Sequence, residues 1–167
     1  MKSQQKKNYF LLINNQSKPL VETITSRCLD IKIFLNKKKR LDIIGSLIEK
    51  FNINSVIDPV TSDLSPGQFL KFNYICGENN ISLDGNFINN LTVLLNLYKK
   101  DKNIIFIDMI SFLTDNYFNI LRQKNLFTSE KIIEYKRFVL DNINKFFLYN
   151  LNQNALLNNI NSKINNE

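Results

Sequence analysis

Two segments near the N-terminus carry the apolar patterns of β-strands. Residues 9–13 form a continuous apolar run, which is typical of a strand buried on both faces of a sheet. Residues 29–35 show a period of two, which predicts a second strand. Between them, Ser17 and Pro19 predict the start of a short helix that ends at Thr25. Because two strands cannot form a stable parallel sheet, we expect residues 1–35 to be the edge of a larger α/β domain.

The remainder of the chain has the apolar spacing of helices. Positions three or four residues apart recur on one face of each segment and predict helices over residues 41–51, 66–76, 83–98, 104–126, 129–148 and 156–164. Ser65 and Pro66 form a cap with proline at the first helical position. The break from Gly77 to Gly85 predicts a domain boundary. The predicted fold is therefore mainly α, with an α/β segment (1–35), a small helical domain (36–78) and a helical bundle (79–167).

Composition excludes several kinds of chemistry. The chain has 167 residues, of which 44% are hydrophobic and 22% are charged, as in a globular protein. It has no histidine, which excludes Cys/His zinc sites and histidine-based catalysis. We expect Cys28 and Cys76 to be small buried residues in a reducing compartment. No apolar run reaches the roughly 20 residues of a membrane span, and no signal-peptide core follows the basic N-terminus, so we expect a cytoplasmic protein.

Nucleotide-binding and acid/base motifs are also absent from the sequence. None of the four glycines lies in a phosphate-binding loop, so an independent NTPase is not predicted. Asp58 and Asp63 flank a loop, while Asp108 and Asp115 share one face of a helix. We interpret the spacing of Asp108 and Asp115 as a solvated stripe or a salt-bridge position rather than an acid/base pair.

Positive charge is concentrated in the first part of the chain. Residues 1–50 contain eleven Lys or Arg against four acidic residues, a net charge of +7, whereas residues 51–167 contain eleven of each sign. Such asymmetry is typical of a protein that binds a polyanion. These side chains can equally be solvent-exposed residues at the ends of helices. One hypothesis is therefore a small basic helical nucleic-acid-binding protein. It would use Lys6, Lys7, Lys37, Lys38, Lys39 and Arg40.

Arg27 is the most informative single residue. The chain has four arginines against eighteen lysines, and Arg27 lies where the short helix is followed by the second predicted strand. Its planar guanidinium suits a terminal phosphate that another molecule holds. The alternative from local chemistry is that Arg27 contacts Glu22 or a backbone carbonyl.

Three motifs in this order resemble a known family. Ser26-Arg27-Cys28 is similar to the Ser-Arg-Cys motif of AAA+ clamp-loader subunits, and the preceding residues 20–25 are similar to the segment before it. Residues 65–70 resemble the Ser-Pro-Gly turn of the lid domain in the delta-prime family of bacterial DNA polymerase III. Residues 94–118 resemble the collar domain of alphaproteobacterial members. The likeness covers the chain from about residue 8 to its end.

The resemblance implies a non-ATPase subunit of a clamp loader. Arg27 would be an arginine finger that reaches the ATP and Mg²⁺ of a neighbouring motor subunit, with Ser26 positioning it and Cys28 packing beneath it. The partners would be the motor and delta subunits, and, through the complex, the sliding clamp and primer-template DNA. Residues 1–35 would be the end of an AAA+ domain, 36–78 the lid and 79–167 the collar. Gln68 lies near the position of the lid arginine of ATPase members, and the segments that bind ATP and zinc in full-length members are not in this sequence. A motor-type relative is the remaining alternative within the family.

Overall fold

The computed structural model describes residues 9–14 and 19–165, which fall into two compact units that divide between Leu35 and Asn36. The described residues are mostly helical, which confirms the mainly α class. The first unit contains one helical turn, α1 (Glu22–Thr25), which is shorter than the helix predicted from Pro19. Val21 precedes this turn, and its side chain forms no capping hydrogen bond. The helix therefore starts without a cap, and later in the chain than predicted. Ser17, the predicted cap, lies outside the described residues.

Both strand predictions are wrong for the described residues. Residues 9–14 and 29–35 have no regular secondary structure, and their large apolar side chains are exposed, with Phe10 at 90% and Ile33 at 87%. An isolated strand leaves its backbone donors and acceptors without partners, so the apolar pattern alone does not create a strand.

The second unit begins with two paired helices. The helix α2 (Lys37–Phe51) is capped by Asn36, whose side chain accepts a hydrogen bond from the Lys39 amide. The helix α3 (Pro66–Asn79) packs against α2 and begins at the predicted Ser65 cap. Asn80 ends α3 in the left-handed conformation with φ of 52°, so Gly77 lies inside the helix rather than in the predicted break.

Four longer helices complete the second unit: α4 (Phe87–Asp101), α5 (Ile104–Gln123), α6 (Ser129–Tyr149) and α7 (Gln153–Asn165). Each packs against the next, and α7 also contacts α4, so the four form a closed up-and-down bundle. The Phe72 and Phe112 rings, 5.6 Å apart, connect α3 to α5. The division into a lid and a collar stays a prediction.

The helix α5 is central to this bundle. By length and composition alone it could cross a membrane. Here it packs against both α4 and α6, and buries an apolar face that includes Met109, Ile110 and Leu113. Its Asp115 carboxylate pairs with Lys136 of α6 at 2.8 Å. This ion pair matches the role expected for that carboxylate. The buried face accounts for part of the hydropathy of α5.

Candidate functional site

The segment that carries the Ser-Arg-Cys motif is the end of a single helical turn. The Ser26 amide donates to the Glu22 carbonyl at 2.9 Å, and the Arg27 amide donates to the Ile24 carbonyl at 3.0 Å. The Ser26 and Thr25 hydroxyls donate to backbone carbonyls within the same turn. These local hydrogen bonds fix the backbone at Arg27. None of them involves the Arg27 side chain.

The Arg27 side chain is exposed, and no described residue occupies its guanidinium. Among the described residues, its guanidinium forms no hydrogen bond and no ion pair, so it does not bridge Glu22 or a carbonyl. Ser26 is exposed beside it. Cys28 is exposed as well, so the prediction that it is buried is wrong, whereas its role in supporting Arg27 stays a prediction. A buried thiol needs neighbouring apolar side chains, which this exposed segment does not provide.

Cys76 is the buried thiol of the described chain. It lies in the core of the second unit with 1% of its surface exposed. Burial raises the pKa of this thiol to about 11, because the thiolate is disfavoured away from water. The expectation of a small buried cysteine is therefore confirmed at this position.

Arg40 is not part of a basic surface. Only 8% of its surface is exposed, and its guanidinium donates to the carbonyl oxygens of Ser62 at 2.7 Å, Leu64 at 3.0 Å and Pro59 at 3.2 Å. These contacts fasten the loop between α2 and α3 to the first turn of α2. These contacts use three of the five N–H donors of Arg40, and its burial disfavours a place on an exposed phosphate-binding surface. The nucleic-acid-binding alternative itself stays a prediction.

The other members of the predicted basic set have different positions. Lys37, Lys38 and Lys39 are exposed in the first turn of α2, where no acidic side chain accompanies them. Lys6 and Lys7 lie outside the described residues. Positive charge at a helix N-terminus opposes the helix dipole, so these lysines do not stabilise α2.

The loop between α2 and α3 is organised by buried polar groups. Asn73 of α3 accepts from the Val56 amide at 2.8 Å and the Ile57 amide at 3.0 Å. The Asp58 carboxylate accepts from the Val60 amide, and this hydrogen bond is the main cause that lowers its pKa. Asp58 is therefore a carboxylate that stabilises a turn of this loop, through the Val60 amide and the Thr61 hydroxyl.

Gln68 has a structural role at the start of α3. Its amide donates to the Ser65 hydroxyl at 3.3 Å, and its side-chain oxygen accepts from the Ser65 amide at 3.3 Å. The two residues thus form a reciprocal capping box. No cationic side chain takes this position of α3.

A second group of polar side chains lies where α4 ends and α7 begins. Lys99, Asn96 and Gln153, with Asn152 and Asn154, line an open pocket of about 310 Å³. The buried Gln153 amide donates to the Asn96 side-chain oxygen at 2.9 Å. Nothing local in the sequence shows that residues 96 and 153 meet, because they are 57 positions apart.

Comparison with protein-family models, with curated proteins and with solved structures finds no match to this chain.

Proposed function

We propose that this chain is a delta-prime type, non-ATPase subunit of a DNA polymerase III clamp loader, and that Arg27 acts in trans on nucleotide held by a neighbouring subunit. The single observation that favours this role is the state of Arg27. It is exposed, it has no partner among the described residues, and it stands in the Ser-Arg-Cys context. An arginine that acts on a neighbour must be unoccupied in its own chain. ATP and Mg²⁺ would belong to that neighbour, since the sequence has no phosphate-binding loop.

Two further features agree with an interaction subunit. The first unit exposes many large apolar side chains, among them Leu29, Ile31 and Phe34, which is typical of a surface that a partner covers. In the second unit, the capping box formed by Ser65 and Gln68 occupies the position near which ATPase members carry a lid arginine. This agrees with a subunit that hydrolyses no nucleotide itself.

The test begins with assembly. The chain is mixed with the motor and delta subunits of the same organism, and the mixture is analysed by size exclusion with light scattering. Co-elution in a hetero-oligomer is the expected result. Elution of the chain alone, with the other subunits assembling without it, would contradict the proposal.

The second step tests Arg27 within that assembly. Wild type, Arg27→Ala and Arg27→Lys are compared in ATP hydrolysis stimulated by clamp and primed DNA. Arginine fingers contribute about 10³–10⁵ in rate in well-studied systems, so a finger role predicts a large loss of stimulated hydrolysis for Arg27→Ala. Arg27→Lys keeps the charge but not the planar donor geometry, and should not restore the rate. Lys32→Ala, another exposed cation of the same unit, is the matched control and should leave hydrolysis unchanged. Hydrolysis within about twofold of wild type for Arg27→Ala would refute the finger role.

A further inference from the structure

One end of the four-helix bundle combines exposed lysines with exposed large apolar side chains. Lys99, Lys100 and Lys102 lie at the C-terminal end of α4 and are exposed. Leu148 and Tyr149, the last residues of α6, are 76% and 71% exposed. We name these five residues the basic end of the bundle. The dipole of α4 accounts for lysines at its terminus, but it gives no reason for apolar side chains exposed nearby.

Ring contacts bring together the C-terminal turns of α4 and α6, on which these residues lie. Tyr98 of α4 meets Phe147 of α6 edge to face, with ring centroids 4.8 Å apart. The Lys99 ammonium lies 5.8 Å from the centre of the Phe146 ring. The C-terminal turns of α4 and α6 are therefore side by side, and Tyr149 follows within one turn of these contacts.

Two of the lysines are held in place by aromatic rings. Besides the contact of Lys99 with Phe146, the Lys102 ammonium lies 5.1 Å from the centre of the Tyr98 ring. Cation–π contacts restrict a lysine without consuming its charge or its hydrogen-bond donors. Both ammonium groups can therefore still bind an anion, and each loses less freedom on binding than an unrestrained lysine would.

The pocket beside these lysines is lined by amides. Its volume of about 310 Å³ is at the lower end of the range for small-molecule sites, about 300–1,000 Å³. Asn96, Asn152, Gln153 and Asn154 contribute side-chain amides, which are both donors and acceptors. The first amides of α7 are already capped by the Asn152 side chain, so the lysines, and not the helix terminus, are the groups available to an anion.

We propose that the basic end of the bundle binds single-stranded nucleic acid. The lysines would contact successive phosphates, Tyr149 would stack on a base, and the amide-lined pocket would accept the edge of a neighbouring base. Basic side chains next to an exposed aromatic ring are the usual elements of single-strand binding. A lipid surface fits this site less well. Contact with lipid would remove water from the uncharged amides of the pocket and would give them no new hydrogen-bond partners. This proposal does not rest on the clamp-loader function, since it is tested on the isolated chain.

The experiment measures anisotropy of a fluorescein-labelled oligothymidine of about 20 nucleotides as the chain is added, over about 50–200 mM salt. Wild type is compared with Lys99→Gln/Lys102→Gln and with Tyr149→Ala. Each phosphate contact contributes about 0.7 to the salt slope for single strands, so the double variant should lower that slope by about 1.4. Loss of one stacked base should weaken binding by about fivefold or more.

Matched controls separate a site from general charge. Lys71→Gln/Lys124→Gln removes the same charge from exposed positions on α3 and at the C-terminus of α5, and Tyr74→Ala removes a tyrosine that is 63% exposed on α3. Far-ultraviolet circular dichroism and thermal unfolding confirm that each variant is folded. The proposal is supported when only the variants of the basic end weaken binding. It is overturned if the control pair has the same effect, if the oligonucleotide does not bind, or if the chain binds vesicles rich in phosphatidylserine and not the oligonucleotide.

Discussion

Replacement of Arg40 by alanine should be among the most destabilising single changes in the second unit. The guanidinium is 8% exposed and makes three hydrogen bonds, of 2.7, 3.0 and 3.2 Å, to the carbonyl oxygens of Ser62, Leu64 and Pro59. Removal would leave these carbonyls without their donor and would open a cavity beside Ile44. A hydrogen bond that involves a charged group contributes about 1.5–3 kcal/mol. The carbonyl of Pro59 is only partly buried and can regain water, so two of the three bonds determine the loss.

The free energy of unfolding should therefore fall by about 3–6 kcal/mol for Arg40→Ala. Urea unfolding of the full chain, followed by circular dichroism, measures this difference directly. Arg40→Lys should recover part of the loss, because an ammonium group can reach one carbonyl but cannot span three. Lys39→Ala, the adjacent exposed lysine, is the control and should change stability by no more than about 0.5 kcal/mol.

The opposite result is equally informative. If Arg40→Ala changed stability by less than about 1 kcal/mol, the three hydrogen bonds of Arg40 would contribute little. The loop from 52 to 64 would then be held by Asn73 and by its buried side chains Ile57 and Leu64. Arg40 could then leave its carbonyls at low cost and face solvent beside Lys39. The exclusion of Arg40 from a basic surface would no longer hold.

Three further predictions follow from the described residues. A thiol-reactive dye should label Cys28 rapidly in the native chain and Cys76 only on unfolding. Cys76 is buried and its pKa is raised to about 11, which disfavours the reactive thiolate. Equal labelling rates for the two thiols would show that the core is open. Gly77→Ala should stabilise the chain by about 0.5–1 kcal/mol, because a methyl group there meets nothing within 4 Å. Gly85→Ala should destabilise the chain, because its methyl group would lie 3.0 Å from the Ser82 carbonyl oxygen. Amide hydrogen exchange should be fastest in residues 29–35, and slower exchange there than in α5 would refute the absence of regular structure.

Local signals predicted the helices well, because helix starts depend on nearby residues. Ser65 and Thr128 cap α3 and α6 through their own side chains, and both starts were predicted from the sequence. The strands were mispredicted because a strand depends on a partner that local pattern cannot supply. The end of α3 was misplaced because Gly77 tolerates the helix, while Asn80 adopts the left-handed conformation that ends it.

The burial of Arg40 could have been found from spacing. It precedes Ile44 by four residues and Ile48 by eight, so it lies on the apolar face of α2 although it ends a run of three lysines. A charged residue on the apolar face of a helix indicates a buried polar contact. The carbonyls that satisfy it are 19 to 24 residues further along the chain, and no local pattern shows that they converge. The same limitation applies to the pocket beside the basic end of the bundle, since its residues Asn96 and Gln153 are 57 positions apart.

The exposure of Arg27 raises the question of whether an unrestrained side chain can serve as a finger. Fixing a flexible side chain at an interface costs about 0.5–1.5 kcal/mol. A rate contribution of about 10³–10⁵ corresponds to about 4–7 kcal/mol, since each factor of ten is about 1.4 kcal/mol. The ordering cost is therefore small beside the gain, and a finger need not be held rigidly by its own chain. What the chain must supply is an accessible guanidinium without a competing partner, and Arg27 meets this requirement among the described residues. Its orientation would then be set by the neighbouring subunit. For this reason, Arg27→Ala should alter hydrolysis in the assembly while leaving the unfolding of the isolated chain unchanged.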